Sequence, residues 1–306
     1  MSHFSLVACC RSTLLLLLMG SVSLAGPPAK SETAARVAAD KQARAALAQA
    51  CHASAVQLAD RLGEGCQVIE RPPFVIGGNL PAEELAKWHT QTIAPAARAM
   101  ASSYFTVAPD KPITVLLFPD EKSYDHYAKT LFGDQGVSVY GYYKPSQRTL
   151  VMNIGTGGGT LVHELTHALA DFDYPDIPDW FNEGLASLHE QCRFREEKDE
   201  FWIEGLENWR LPILQEAIRD KELRSLKSLI ADDDFRSTRV GANYAQARYF
   251  CLYLQRKGLL KEFYRQMRLQ PKQDRLGIKA VEKIAPAKSW AALDADFQAW
   301  VLELKR

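Results

Sequence analysis

Residues 155–190 read GTGGGTLVHELTHALADFDYPDIPDWFNEGLASLHE, and this stretch decides how the rest of the chain is understood. Leu161 to Phe172 carries apolar residues at helical spacing, and the turn Asp173-Tyr174-Pro175-Asp176-Ile177-Pro178 interrupts it. Asp179 to Gln191 then resumes a helix, so the chain is expected to run out along one helix and back along another. The glycines before it, Gly155 to Gly159, lack the Gly-Lys-Ser/Thr ending that brings a lysine to phosphates. They read as a flexible turn into a helix capped by Thr160.

Inside the first helix stands His163-Glu164-Leu165-Thr166-His167. Residues four apart on a helix differ by about 40° in azimuth and about 6 Å along the axis, so His163 and His167 share a face and can grip one ion. Glu164 is rotated by about 100° and flanks that ion, where a base belongs if it is to take a proton from metal-activated water. A catalytic zinc site typically has three protein ligands and one open position, so a third ligand is needed. Sixteen residues past His167, Glu183 is the single carboxylate within Trp180-Phe181-Asn182-Glu183-Gly184-Leu185-Ala186, and the returning helix would bring it to the metal. The bland alternatives are a pair of hydrogen-bonded helix histidines, and a glutamate favoured by the dipole of the first helical turn. With seven histidines in the chain, the five-residue pattern arises by chance in roughly one such chain in a hundred, which favours the metal. His52, His89, His126 and His189 read as ordinary surface or core residues.

Upstream, Ile113 to Phe118 (ITVLLF) is a proline-bounded apolar run with the signature of a buried strand, followed by a helix through Tyr124 to Leu131. Val137 to Tyr143 and Thr149 to Ile154 read as two strands joined by a hairpin at Lys144-Pro145-Ser146-Gln147. Glu32 to Leu62 reads as one or two helices and Glu83 to Tyr104 as another. Downstream, Tyr244 to Gln255 is helical, and Ser289 to Leu302 places Trp290, Leu293, Phe297 and Trp300 on one side, a core stripe. The expected organisation is an export signal over 1–25, an N-terminal helical arm over 26–108 and a catalytic domain over 109–306. The acidic run Asp232-Asp233-Asp234 lacks the common calcium-loop pattern and reads as a solvated loop or helix cap.

Lysine plus arginine equal aspartate plus glutamate at 37 each, so no long-range field draws the molecule to nucleic acid or an anionic membrane. Recognition must come from a local site. At the N-terminus the apolar run Leu14 to Met19 follows Arg11 and precedes Ser23-Leu24-Ala25, the small-x-small pattern of a cleaved signal. A membrane anchor would need about 20 apolar residues, and this run ends at Gly20. A periplasmic or secreted protein without stable membrane insertion is expected. Export makes disulfides permissible, and pairing of near neighbours, Cys51 with Cys66 and Cys192 with Cys251, is the preferred connectivity of three.

At the histidine pair and at Asn182-Glu183-Gly184 the chain resembles the gluzincin branch of zinc metallopeptidases. Trp-Phe-Asn-Glu-Gly-Leu-Ala is similar to the matching helix of the aminopeptidase-type members, and length and layout resemble the small bacterial peptidase-MA-like proteins. The resemblance runs from about Ile113 to Leu254 and is specific at the metal motifs. It implies an α+β zincin-like fold, mostly helical, with a small mixed sheet whose edge strand lies beside the metal helix and lines the cleft. It further implies one zinc ion and hydrolysis of a peptide or protein substrate. No segment of the Gly-Ala-Met-Glu-Asn type is present to hold a free amine, which points to endopeptidase action. Tyr244 opens Tyr-Ala-Gln-Ala-Arg-Tyr-Phe, similar to a segment after the metal helices in the peptidase-MA-like proteins, and is the candidate donor to the oxyanion. Tyr249, Tyr143 and plain burial of Tyr244 are the alternatives. The substrate is expected to pair with the strand ending near Ile154. Two other functions stay open: a non-catalytic binder of peptides or envelope partners, against which Glu164 argues, and a hydrolase of a non-protein amide.

Overall fold

The computed structural model describes residues 30–306 except 199, 232–234, 237, 238, 286 and 306, with side chains from residue 37. The expected export signal and the acidic run therefore lie outside the described residues. The chain divides into two compact units, 1–42 and 43–306. Helix α1 (Lys30–Leu62) begins in the first and ends in the second, a single helix where one or two were expected.

Strands β1 (Gln67–Arg71) and β2 (Phe74–Gly78) follow, then α2 (Ala82–Trp88) and α3 (Ala94–Ser103), joined through a wide π-type turn over His89–Ile93. Next come β3 (Ile113–Phe118), α4 (Glu121–Phe132), β4 (Gly141–Lys144) and β5 (Thr149–Asn153). The remainder is helical apart from one hairpin: α5 (Gly159–Asp173), α6 (Asp179–His189), β6 (Cys192–Glu197) and β7 (Glu200–Gly205). Helices α7 (Leu211–Arg219), α8 (Leu226–Ile230), α9 (Val240–Arg256), α10 (Leu260–Leu269), α11 (Ile278–Ile284) and α12 (Trp290–Glu303) complete the chain. The fold is mixed α+β, mostly helical, with a small mixed sheet.

The main sheet has the order β1-β2-β3-β5-β4, parallel at β2–β3 and β3–β5 and antiparallel at its two outer pairs. Its inner strands are buried on both faces, which is why β3 reads as a continuous apolar run. Phe74, Ile76, Val115, Leu117, Leu150 and Met152 face the main core, shared with α3, α5, α6 and α9. The alternate residues Val75, Leu116, Phe118 and Val151 meet Leu58 and Leu62 of α1 and Tyr124 of α4 on the other side.

Several expectations are corrected. The boundary at 108 does not hold: β2, from the expected arm, pairs with β3 from Phe74 opposite Ile113 to Gly77 opposite Leu116, so 43–108 belongs to the unit that carries the metal motif. Val137 to Tyr140 is a loop, because the Ser138 hydroxyl accepts from the Tyr140 and Gly141 amides and so bends the chain out of the ladder. Helix α5 starts at Gly159 with Gly158 as its cap and no side-chain cap, so Thr160 is inside the helix. β5 lies between β3 and β4 and has no free edge for a substrate, whereas β4 ends the sheet. The four cysteines among the described residues, Cys51, Cys66, Cys192 and Cys251, are free thiols. Cys66 donates instead to the Tyr127 hydroxyl at 3.0 Å, and Cys251 is buried in α9 beside Gly184.

Candidate metal centre

Two helices position the site, and close packing fixes both. α5 rests on β4 and β5 through Leu161, Leu165 and Leu169, all buried. Its first residue, Gly159, approaches the end of α6 so closely that a Cβ there would lie 2.4 Å from the Glu190 carbonyl oxygen. The glycine run is therefore needed for helix contact, consistent with its reading as a turn. α6 buries Trp180, Phe181, Leu185 and Leu188 and packs chiefly against α9. Gly184 makes this possible: a Cβ there would come within 2.9 Å of the Ala247 carbonyl oxygen. With that face of α6 pressed on α9, the preceding Glu183 is turned toward α5.

The consequence is a convergence of His163, His167 and Glu183. Their donor atoms lie within 4.8 Å of one another, the only such group among the described residues. His163 Nε2 is 3.4 Å from Glu183 Oε2 and His167 Nε2 is 3.6 Å from Oε1. A tetrahedral ion with bonds of about 2.1 Å holds its ligand atoms roughly 3.4 Å apart, so the two histidine–glutamate spacings suit a small metal ion. The rings meet edge to face with centroids 4.9 Å apart. His167 is further oriented by Asn182, whose Oδ1 lies 2.8 Å from Nδ1. A proton on Nδ1 donates to that oxygen and leaves the Nε2 lone pair for the metal. His163 Nδ1 is buried and has no hydrogen-bond partner.

Charge is concentrated here. Burial would push the Glu183 carboxyl up, but His163, His167 and Arg236 outweigh it and hold its pKa at about 2. Burial and the neighbouring His163 depress His167 to about 4, despite the opposing pull of Glu183. For His163, burial is outweighed by Glu183, Glu164 and Glu190, and its pKa is raised. Glu164 is 9% exposed; burial and the charge on Glu183 raise it to about 7, with His163, the Tyr143 backbone and Arg236 pulling the other way. Tyr143 belongs to the edge strand β4.

Tyr244, in the first turns of α9, lies close enough to Glu183 to feel its charge, and burial followed by that carboxylate raises its pKa. The other candidate hydroxyls are committed elsewhere. That of Tyr143 donates to Asp171 at 2.9 Å, and that of Tyr249 meets the backbone of Asn208. Arg236, in the loop before α9, places Nη2 2.9 Å from Glu183 Oε1 and 3.3 Å from Asp179 Oδ1. Sequence reasoning passes over Asn182, Arg236 and His189. Asn182 adjoins the ligand glutamate and is findable by asking what orients the second imidazole. His189, an ordinary residue by sequence, is fully buried, meets the Thr166 hydroxyl at 3.0 Å through Nδ1 and stacks on Tyr104. It stiffens α5 between the two candidate ligands. No protein-family model matches the chain, and a search of curated proteins returns no match.

Proposed function

We propose that this chain is an exported zinc-dependent peptidase with a zincin-like fold of the gluzincin kind. In this reading His163, His167 and Glu183 hold one zinc ion and Glu164 is the general base. The observation that carries it is the meeting of two Nε2 atoms and a carboxylate at metal-ligand spacing, with a second carboxylate beside them poised near neutral pKa. Bound there, zinc would acidify a water molecule and polarise a substrate carbonyl.

The remaining work falls to the chain's own groups. Glu164 takes a proton from the attacking water and returns it to the leaving amine. The Tyr244 hydroxyl, already at the site, donates to the developing oxyanion. A peptide substrate lies along β4, the strand that ends the sheet. Among the described residues no helix is long and apolar enough to cross a membrane.

Metal analysis beside cleavage assays on peptides, casein and envelope polymers tests the reading. Glu164→Gln should retain the metal and lose at least about a hundredfold in hydrolysis, the usual scale for a proton-transferring group. Glu183→Ala should lose metal. Hydrolysis by the glutamine variant at the parent's rate would remove Glu164 as base, and parent protein that takes up no divalent ion would remove the centre. Retention of metal with no cleavage of any polymer would leave a binding protein.

A further inference from the structure

We propose that Arg236 is a counter-ion that a divalent metal must displace from Glu183, with Asp179 receiving the guanidinium, so that this residue sets the metal affinity of the site. The inference rests on the metal-centre reading given above and concerns what competes with the ion.

Glu183 is 3% exposed, and a carboxylate so buried needs a cationic partner to stay ionised. Arg236 provides one at 2.9 Å, and it takes Oε1, the oxygen that also faces His167 Nε2 at 3.6 Å. An ion bridging Oε1 and that imidazole would sit beside a guanidinium carrying charge of the same sign. The two cations therefore compete for one oxygen. Binding of either weakens the other by the same factor, because coupling between two ligands of one site is reciprocal.

The second half follows from where the guanidinium can go. Its Nη2 is also 3.3 Å from Asp179 Oδ1, on the first turn of α6, and the Arg236 side chain is 52% exposed. Sliding onto Asp179 exchanges one carboxylate for the other and keeps the charge paired, without moving any buried group. Glu183 has less room, being 3% exposed on a helix whose backbone is held at Gly184 against α9. The asymmetry identifies Arg236 as the partner that yields. It acts on the metal through Glu183 and is a positioning residue.

The test is zinc affinity, measured for zinc alone against a chromogenic chelator, with thermal unfolding in chelator and in excess zinc. Arg236→Gln should bind zinc roughly tenfold more tightly, within the usual range for coupled ligands. It should also show a larger zinc-induced rise in Tm than the parent. Arg236→Lys, which keeps the charge, should stay close to the parent. Asp179→Asn should weaken zinc several-fold in the parent, and this loss should largely vanish in the Arg236→Gln background, where no guanidinium needs a destination. Parent protein that binds zinc no less tightly than Arg236→Gln would overturn the inference while leaving the metal centre intact. The same holds if Arg236→Lys proves as tight as the glutamine variant. If neither parent nor Arg236→Gln takes up zinc, the centre itself fails and the inference with it.

Discussion

Glu164 sits where a carboxylate is least comfortable: buried, with the Glu183 charge nearby, and relieved only by His163, one backbone amide and Arg236. Its raised pKa makes a stability prediction independent of any assay of function. A carboxyl whose folded pKa lies above its unfolded value favours folding while protonated. That contribution is whole below about 4.5 and is lost as pH rises through about 7. With chelator present, the parent should therefore lose up to about 3 kcal/mol between pH 5 and pH 8 on account of this group. Glu164→Gln should escape the loss, and urea unfolding of both proteins across that range should show the variant gaining steadily on the parent. A flat difference would mean that the carboxyl is not held against ionisation. A cation bound beside it would favour the ionised form and offset that cost. At this scale the sequence is informative where spacing on one helix does the positioning: His163, Glu164 and His167 follow from a helical period alone. Glu183 is legible through its isolation in an apolar helix. Arg236 is not, because a loop residue 53 positions past Glu183 carries no local pattern that says which carboxylate it will meet.

Helix α6 shows how packing, and not propensity, aims a functional side chain. Gly184 is a poor helix former in mid-helix, yet any larger residue would push α6 off α9. Gly184→Ala should cost about 1–3 kcal/mol through overpacking, a fall of several degrees in Tm. It should also lower zinc affinity by turning Glu183 away from the histidines. Gly241, in the first turn of α9 with nothing within 4 Å of where a methyl group would stand, is the control, and Gly241→Ala should be neutral or slightly stabilising. Equal effects at both positions would show that general helix propensity, and not the contact of α6 with α9, decides. The strands divide in the same physical way. β3 is readable because burial on both faces makes it a continuous apolar run. β1 and β2 are absorbed into an expected helical arm, since Gln67–Arg71 is half-exposed and polar while Phe74–Gly78 ends in two glycines. The hairpin β6–β7 escapes notice because its exposed face is charged, with Arg195 and Arg256 converging on Glu204. Val137 to Tyr140 misleads in the opposite direction, being β-branched and apolar but claimed by the Ser138 hydroxyl.

For the molecule as a whole, the consequential difference from the sequence reading is that the metal helix does not stand on a domain beginning at residue 109. β3 is an inner strand only because β2 covers one side of it, and β2 with α3 contributes Phe74, Ile76, Ala96 and Met100 to the same core that holds Leu165 and Leu169 of α5. Thr166 of the metal helix touches Met100 at 3.6 Å, and the buried Asp173 at the end of α5 accepts from the backbone amides of Thr106 and Val107. A chain starting at Pro109 would expose the backbone edge of β3, strip one wall from the core and leave Asp173 without those two amides. Each loss is one of the large destabilising mechanisms, and an uncovered apolar inner strand is also a template for aggregation. Such a chain is expected to be insoluble or to unfold without a cooperative transition, and to take up no zinc. Circular dichroism melting and metal analysis beside the full chain would check it. A cooperative, zinc-binding product from residues 109–306 would restore the two-part organisation and would show that β2 and α3 only decorate a core that β3, β5 and α5 complete unaided.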